Sequence, residues 1–500
     1  MGEGHGHRRR TALLLAAPVV VGFVCRLPGL DRSLNDFFAF RQAQTAFTVR
    51  EYMRSGIDLT STPLPVFGPP WEVPFEFPLF QGLAALVAHV TGDASSAARL
   101  TGLVFFEVTC VLLGVLALQW FSRTTAVVAV TLFQVTPFAV QWGWASLIET
   151  LATAAAIGAV VSLTAWTRRR RGYLLALAVV AQVVAFLVKP TTAAPWLIAF
   201  AVPAAAVLFE HRSARRARPV LVATLAASAT GLIAGLAWTH HADRVKAASP
   251  YTEFVTSSRL TSWNFGTVQQ RLEGSEWALV LDGFPSMGGS LLLLASLVAV
   301  ALGTWKLSLP VLALVAVPVA AIGTFFNLYV VHDYYLLAVY PAVVLVVAAG
   351  VAGTARLVPH RTTSVAVGLA LTLAVAVLAW DSAMGRSYHA NLVTSRPVPP
   401  LTQELVDMTS PADGIILVGC DWDPSWLYQA DRRGLMIISS KEGDPLPPGW
   451  VPDLFSYVGH CGTTAPSTDF LPSSVRLERV SPHLLALRPV AGAGAVTGRS

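Results

Sequence analysis

Apolar runs close to the 17–25 residues that a helix needs to cross about 30 Å of hydrocarbon recur along most of this 500-residue chain. They fall at about 11–27, 99–121, 124–141, 147–167, 172–188, 193–209, 219–238, 285–304, 307–325, 334–355 and 362–380, about eleven in all. Composition points the same way. Hydrophobic residues make up 54% and charged residues 13%, against about 25% charged in an ordinary soluble domain. So little charge cannot cover a soluble surface of this size. With 4 Cys and no sustained heptads, disulfide scaffolds and coiled coils are excluded, as are disorder and collagen. The fold class expected is an α-helical polytopic membrane protein. A net charge of +6 does not indicate nucleic acid, because the arginines sit in short clusters between apolar runs.

Those clusters orient the chain. Arg8 to Arg10, Arg123, Arg168 to Arg171, the Arg212–Arg218 group, Lys306, Arg356 and Arg361 share one side if the spans alternate. The opposite short loops, 142–146 and 326–333, carry no Lys or Arg. The positive-inside bias puts the N-terminus in the cytoplasm, and an odd number of spans puts the C-terminus outside. The flank Cys25-Arg26-Leu27-Pro28 lacks a small-residue cleavage pattern, so the first run reads as a retained span. Phe77 to Val90 reads as interfacial, since a span there would invert every later cluster. Segments 28–98, 239–284 and 381–500 then face outward. The chain divides into a transmembrane domain, 1–380, and a small extracytoplasmic α/β domain, 381–500. In the latter, 414–419 and 434–438 read as strands and 424–430 as a helix start. Cys420 and Cys461 lie in this outer domain, where oxidising conditions permit a disulfide that spacing alone does not fix.

In a chain this apolar, each polar residue near the bilayer has a desolvation cost to offset. Five places stand out, all on the outer side. Asp36, followed by Arg41, Gln42 and Gln44, lies just after the first span; Asp36 is read either as a helix N-cap or as a reactive carboxylate. Glu76 stands between aromatics and prolines, and Glu149 at the outer end of a span. Lys189 is one of four lysines and opposes the positive-inside bias; the alternatives are snorkelling and phosphate binding. His332-Asp333-Tyr334-Tyr335 sits at another outer boundary, where the tyrosines alone would pass as an aromatic belt. Carboxylates there can act as a general base or hold a divalent cation, and Arg or Lys at headgroup depth suits a lipid-linked phosphate.

The stretches Arg41-Gln42-Ala43-Gln44-Thr45-Ala46, Glu76-Phe77-Pro78-Leu79, Lys189-Pro190-Thr191 and His332-Asp333-Tyr334-Tyr335 resemble integral-membrane glycosyltransferases of the GT-C type. More narrowly, they resemble the branch related to protein O-mannosyltransferases and bacterial lipid A aminoarabinose transferases. The likeness covers order and topology over about the first 380 residues. It implies transfer of one sugar from a polyprenyl-phosphate donor to a glycan, lipid or protein acceptor at the outer face of a bacterial plasma membrane. By motif, Asp36 resembles the first-loop catalytic acid and Glu149 the second-loop acidic residue, with Glu76 a further catalytic candidate. Arg41, Lys189, His332 and Tyr335 are the candidates for the donor phosphate. Gln42, Gln44 and Asp333, with Arg259, Trp263 and Arg271 of the 239–284 loop, are candidates for donor or acceptor contacts. The chain departs from relatives that carry a His where Phe38 stands. The family has metal-dependent and metal-independent members, which leaves a divalent cation (Mg or Mn) on Asp36 and Glu149 open. The competing functions are a transporter or flippase, and a noncatalytic scaffold. Transporters usually show inverted repeats and polar broken helices at the midplane, which this sequence does not display.

Overall fold

Local capping chemistry decides where the apolar runs become helices. In a computed structural model, residues 2–211, 214–305, 308–394, 396–447, 449–451, 453–462 and 469–490 are described. The N-terminal helix α1 (Gly2–Arg26) leads into the segment 27–93, from which α2 (Ala39–Ser55) and α3 (Leu79–Thr91) emerge. Asp93 then starts α4 (Ala94–Trp120) by accepting from the Ser96 amide, and Ser122 starts α5 (Arg123–Val135) the same way through Thr125. The short α6 (Pro137–Trp142) opens on a proline, as does α9 (Pro190–His211), where the missing N–H would be unpaired anyway. Between them run α7 (Glu149–Arg169) and α8 (Gly172–Val188), and α10 (Ala214–Ala247) follows with 34 residues.

Among the described residues, six helices meet the length and apolarity of a span, or seven counting the bent pair Gly274–Gly288 and Leu291–Thr304. The expected runs near 124–141, 172–188, 307–325 and 334–355 fall on shorter apolar helices. The chain is a multi-pass membrane protein, with six or seven helices of full span length against the eleven runs read from sequence. The stretch read as interfacial is the 13-residue α3, too short to cross.

The bundle has two chemically different ends. Glu149 opens α7 and Arg168 and Arg169 close it, about 30 Å apart at 1.5 Å per residue. Each charge also suits the helix dipole at its end. Arg123, Arg356 and Arg361 lie at helix ends in the same sense, whereas Arg212 and Lys306 lie outside the described residues. One apolar core runs through the bundle around the almost wholly buried helix Tyr340–Arg356.

A second core joins α2 and the loop that follows it to the C-terminal domain, with Phe47, Leu64 and Phe67 beside Ile416 and Leu435. That domain carries β1 (Gly414–Val418), β2 (Arg433–Ile437), β3 (Tyr457–His460), β4 (Val475–Arg479) and β5 (Leu484–Pro489) in the order β2-β1-β3-β5-β4. The first three strands are parallel and the last two join antiparallel. Strands were expected at 414–419 and 434–438; β3 to β5 carry no comparable sequence signal. The open edge of β2 is paired by the loop between α2 and α3: Gly434 and Met436 donate to Pro65 and Val66 carbonyls at 2.9 and 2.7 Å. Cys420 and Cys461 form a disulfide. The soluble domain is thereby built onto the loop that carries the candidate site.

Candidate active site

Four of the charged residues singled out in the sequence meet at one end of the bundle. Lys189, at the break between α8 and α9, donates to the Glu76 carboxylate and lies 3.5 Å from Glu149 Oε1. Arg41, on the first turn of α2, donates from Nη2 to Glu76 at 3.2 Å and from Nη1 to Gln44 Oε1 at 2.6 Å. Backbone geometry fixes Glu76: the Phe77 amide donates to the Leu187 carbonyl at 3.1 Å, satisfying an open acceptor at the C-terminal end of α8. Glu149 and Lys189 are almost fully buried, at 1% and 5% exposure. Burial pushes the Glu76 carboxyl up, but Lys189 and Arg41 outweigh it and hold it at about 2. Two cations and two carboxylates thus alternate in one cluster, Arg41–Glu76–Lys189–Glu149, an open ring whose two ends no ion pair joins among the described residues. A cavity of ≈ 20 Å³ beside it has room for about one water. Gln81 Oε1 and Glu149 Oε1, which line that cavity, have no hydrogen-bond partner among the described residues.

Asp36 stands apart from these four residues, and its reading as a helix N-cap needs correction. Phe38 occupies the N-cap of α2, with φ of 55° and no side-chain cap, so Asp36 does not cap the helix. Its partner is Arg99, not Arg41: Arg99 Nη2 meets Asp36 Oδ2 at 2.5 Å, and Gln42 donates to Oδ1 at 3.0 Å. Arg99 is fully buried, lies over the Trp144 ring, and also donates to the carbonyls of Gly29, Arg32 and Ser33. Burial raises the Asp36 carboxyl above its ordinary value although Arg99 pulls it down. Gln42, expected as a ligand contact, is wholly buried and bonded to Asp36, the Phe37 carbonyl and Ser146. These groups lock the first loop onto α4 and the 142–146 turn.

The remaining candidates spread around the rim. Tyr335 presents its ring 5.7 Å from Lys189 Nζ, a cation–π contact. His332 packs on Phe38 at 4.4 Å and Trp263 at 6.0 Å. Burial and Arg41 lower its imidazole to about 4. Asp333 accepts from Tyr388 at 2.5 Å. Arg271 donates to the Gly323, Thr324 and Phe265 carbonyls, closing a helix end, and Arg259 is exposed. Sequence reading missed Trp422, which follows the disulfide by two residues. It stacks on Phe75 at 5.7 Å and meets Phe40 at 4.4 Å, the neighbours of Glu76 and Arg41. It missed Arg99 too, although an arginine at the outer end of a span carries the signal that singled out Lys189.

The residues do not fit the divalent-cation site considered for Asp36 and Glu149. Asp36 is neutralised by Arg99 and Glu149 faces Lys189. Among the described residues, no three His, Cys, Asp or Glu side chains group as metal ligands.

Comparison with known proteins follows the same lines. Residues 72–238, a third of the chain, match the family of dolichyl-phosphate-mannose-protein mannosyltransferases. The fold matches ArnT from Cupriavidus metallidurans, solved bound to undecaprenyl phosphate, with a TM-score of 0.60 at 14% identity. The match covers 96% of this chain and 98% of that one. This is the GT-C fold. The archaeal oligosaccharyltransferase AglB from Archaeoglobus fulgidus, solved with an inhibitory peptide and a dolichol-phosphate, also matches, with a TM-score of 0.55 at 12% identity. There the match covers 91% of this chain and 69% of that one. No curated protein sequence matches the chain. The resemblance to O-mannosyltransferases and aminoarabinose transferases is thus shared by the family match and by the GT-C architecture.

Proposed function

We propose that the protein transfers one sugar from a polyprenyl-phosphate-linked donor to an acceptor hydroxyl at the outer face of the plasma membrane. The family match and the GT-C fold support glycosyl transfer from such a donor. The single observation that carries the finer reading is the cluster of Arg41, Glu76, Lys189 and Glu149, its last two members buried. Its cations are the right chemistry for a phosphate, and its carboxylates for a proton acceptor. When the donor phosphate draws Arg41 and Lys189 to itself, Glu76 loses the partners that depress its pKa. Burial then makes it the stronger base. Glu76 takes the proton as the acceptor oxygen forms its bond to the anomeric carbon and the bond to the phosphate oxygen breaks. Polyprenyl phosphate leaves as an anion held by the same cations, and one displacement inverts the anomeric centre. Asp36, the base expected from the motif, is assigned to positioning because both its oxygens are engaged. A transporter is disfavoured because the four charged groups of this cluster gather at one end of the bundle, and the buried charge part-way along α4, Glu107, is paired with Arg26.

Lys189→Ala and Arg41→Ala should raise the Michaelis constant for a polyprenyl-phosphate sugar in membranes. A charge-assisted contact of about 1.5–3 kcal/mol corresponds to roughly ten- to a hundredfold. Unchanged donor dependence in both folded variants would refute the phosphate assignment. The orientation, with the N-terminus cytoplasmic and the C-terminal domain outside, rests on the arginine ends of the helices. In a Cys25→Ser background, an impermeant thiol reagent on intact cells should label Ser257→Cys and spare Arg169→Cys; the reverse pattern inverts the topology.

A further inference from the structure

We propose that a cleft of ≈ 640 Å³ on the far side of α2 binds a neutral, hydroxyl-rich oligosaccharide outside the transfer site. Helix α2 turns Arg41, Gln44 and Thr48 toward the charged ring, while Arg50 and Arg54 line the cleft. Arg41 and Arg50 are nine residues apart, about two and a half turns, and so point to opposite sides. The C-terminal domain closes the cleft with its helices Pro400–Met408 and Ser425–Ala430, and the first turn of α4 supplies Ser95.

The walls hold polar atoms that the protein leaves unused. Thr402 is 1% exposed, yet its Oγ1 has no hydrogen-bond partner among the described residues. The same holds for Gln429 Oε1 and for Nε and Nη2 of Arg50, whose guanidinium lies between the Phe47 and Tyr428 rings at 4.5 and 4.3 Å. Three separate elements that line one space therefore hold unused donors and acceptors in its walls, and buried groups of this kind are normally satisfied.

Charge decides the class of ligand. Asp431 takes both Arg50 and Arg54, at 3.1 and 2.7 Å, and Arg54 also meets Glu51 at 3.1 Å. Arg32 donates to the Leu392, Asn391 and Thr394 carbonyls. Asp31 and Asp93 line the cleft with Arg32, Arg50 and Arg54, and the flanking Asp431, Glu51 and Arg433 bring the balance to four arginines and four carboxylates, which gives no excess of positive charge to draw a phosphate or an anionic lipid. Exposed apolar side chains, Met53, Val398 and Val406, complete the rim. Donors and acceptors of both senses beside apolar patches match a sugar ring, with its hydroxyl edge and C–H faces. This site does not depend on the transfer reading and can fail without it.

The test uses the full chain in lipid nanodiscs and saturation-transfer NMR with mannotriose, maltotriose and cellotriose, with inorganic phosphate as the competing probe. At least one trisaccharide should bind at millimolar or tighter concentration. Thr402→Val and Gln429→Leu, which remove hydrogen-bonding atoms at nearly constant shape, should each weaken it roughly three- to tenfold. No trisaccharide binding at about 10 mM, equal binding in both variants, or displacement by phosphate overturns the proposal. The first of these outcomes would leave the cleft to water alone.

Discussion

Glu76→Gln is expected to lower turnover by roughly two to four orders of magnitude while the protein stays folded and still binds donor. The glutamine keeps the size of the side chain and an oxygen for the Lys189 and Arg41 hydrogen bonds, but it cannot take a proton. It also leaves the ring with two cations and one carboxylate, so the Michaelis constant for an anionic donor should hold or fall. The pH profile adds a second readout. In the free protein Glu76 sits at about 2 and stays ionised across the working range. Once the donor phosphate takes its cations, its pKa rises, so the acid limb of kcat should lie at higher pH than that of kcat/KM. Loss of activity with acid belongs to a carboxylate that must be ionised to act. Turnover within a fewfold of wild type, or coincident acid limbs, removes Glu76 as the base.

Asp36→Asn should destabilise the protein strongly, by about 3–5 kcal/mol, because it strands a buried guanidinium without its carboxylate. Arg99 would keep its carbonyl contacts near Gly29 and Arg32 but not its counter-charge. The double change Asp36→Leu with Arg99→Met removes both charges at similar volume, and such replacements are often neutral or better. Thermal unfolding in detergent should show most of the lost stability regained in the double variant, with transfer activity returning alongside it. A double variant that folds normally but transfers nothing would restore Asp36 to the chemistry and defeat its assignment as a positioning residue. The two readings separate because a base must keep its carboxylate, whereas a pin needs only to be filled.

The legible part of the site consists of residues whose presence has no cheap explanation in an apolar chain. Lys189 and Glu149 were visible because a charge at the outer end of a span must be paired or exposed, and both are buried. Glu76 was visible through its setting of prolines and aromatics. Arg99 was hidden by its place at the very start of a run, where it passes for an interfacial flank. The trio Arg26, Glu107 and Gln134 was hidden for a related reason. Arg26 Nη1 donates to Gln134 Oε1 at 2.6 Å, and Gln134 donates to Glu107 at 2.5 Å, so three separate helices supply what no local window contains. Trp422 lies nearly four hundred residues from Phe40, and nothing in its own segment marks it as a neighbour of the ring.

The sequence by itself determined the class of protein, since apolar runs of span length leave few alternatives to a helical membrane bundle. It determined which end carries the arginines, and which scarce charges sit at the other end. Tertiary structure alone decided the pairings: Arg41 with Glu76 and Asp36 with Arg99, a choice between carboxylates that chain proximity would have made the other way. It also decided that the C-terminal domain packs beside the candidate site, through the edge of β2 and the Trp422 contacts. Hydrophobic periodicity is a one-dimensional property and survives in the sequence. Charge pairing depends on distances of a few ångströms between segments far apart along the chain, and only packing sets those.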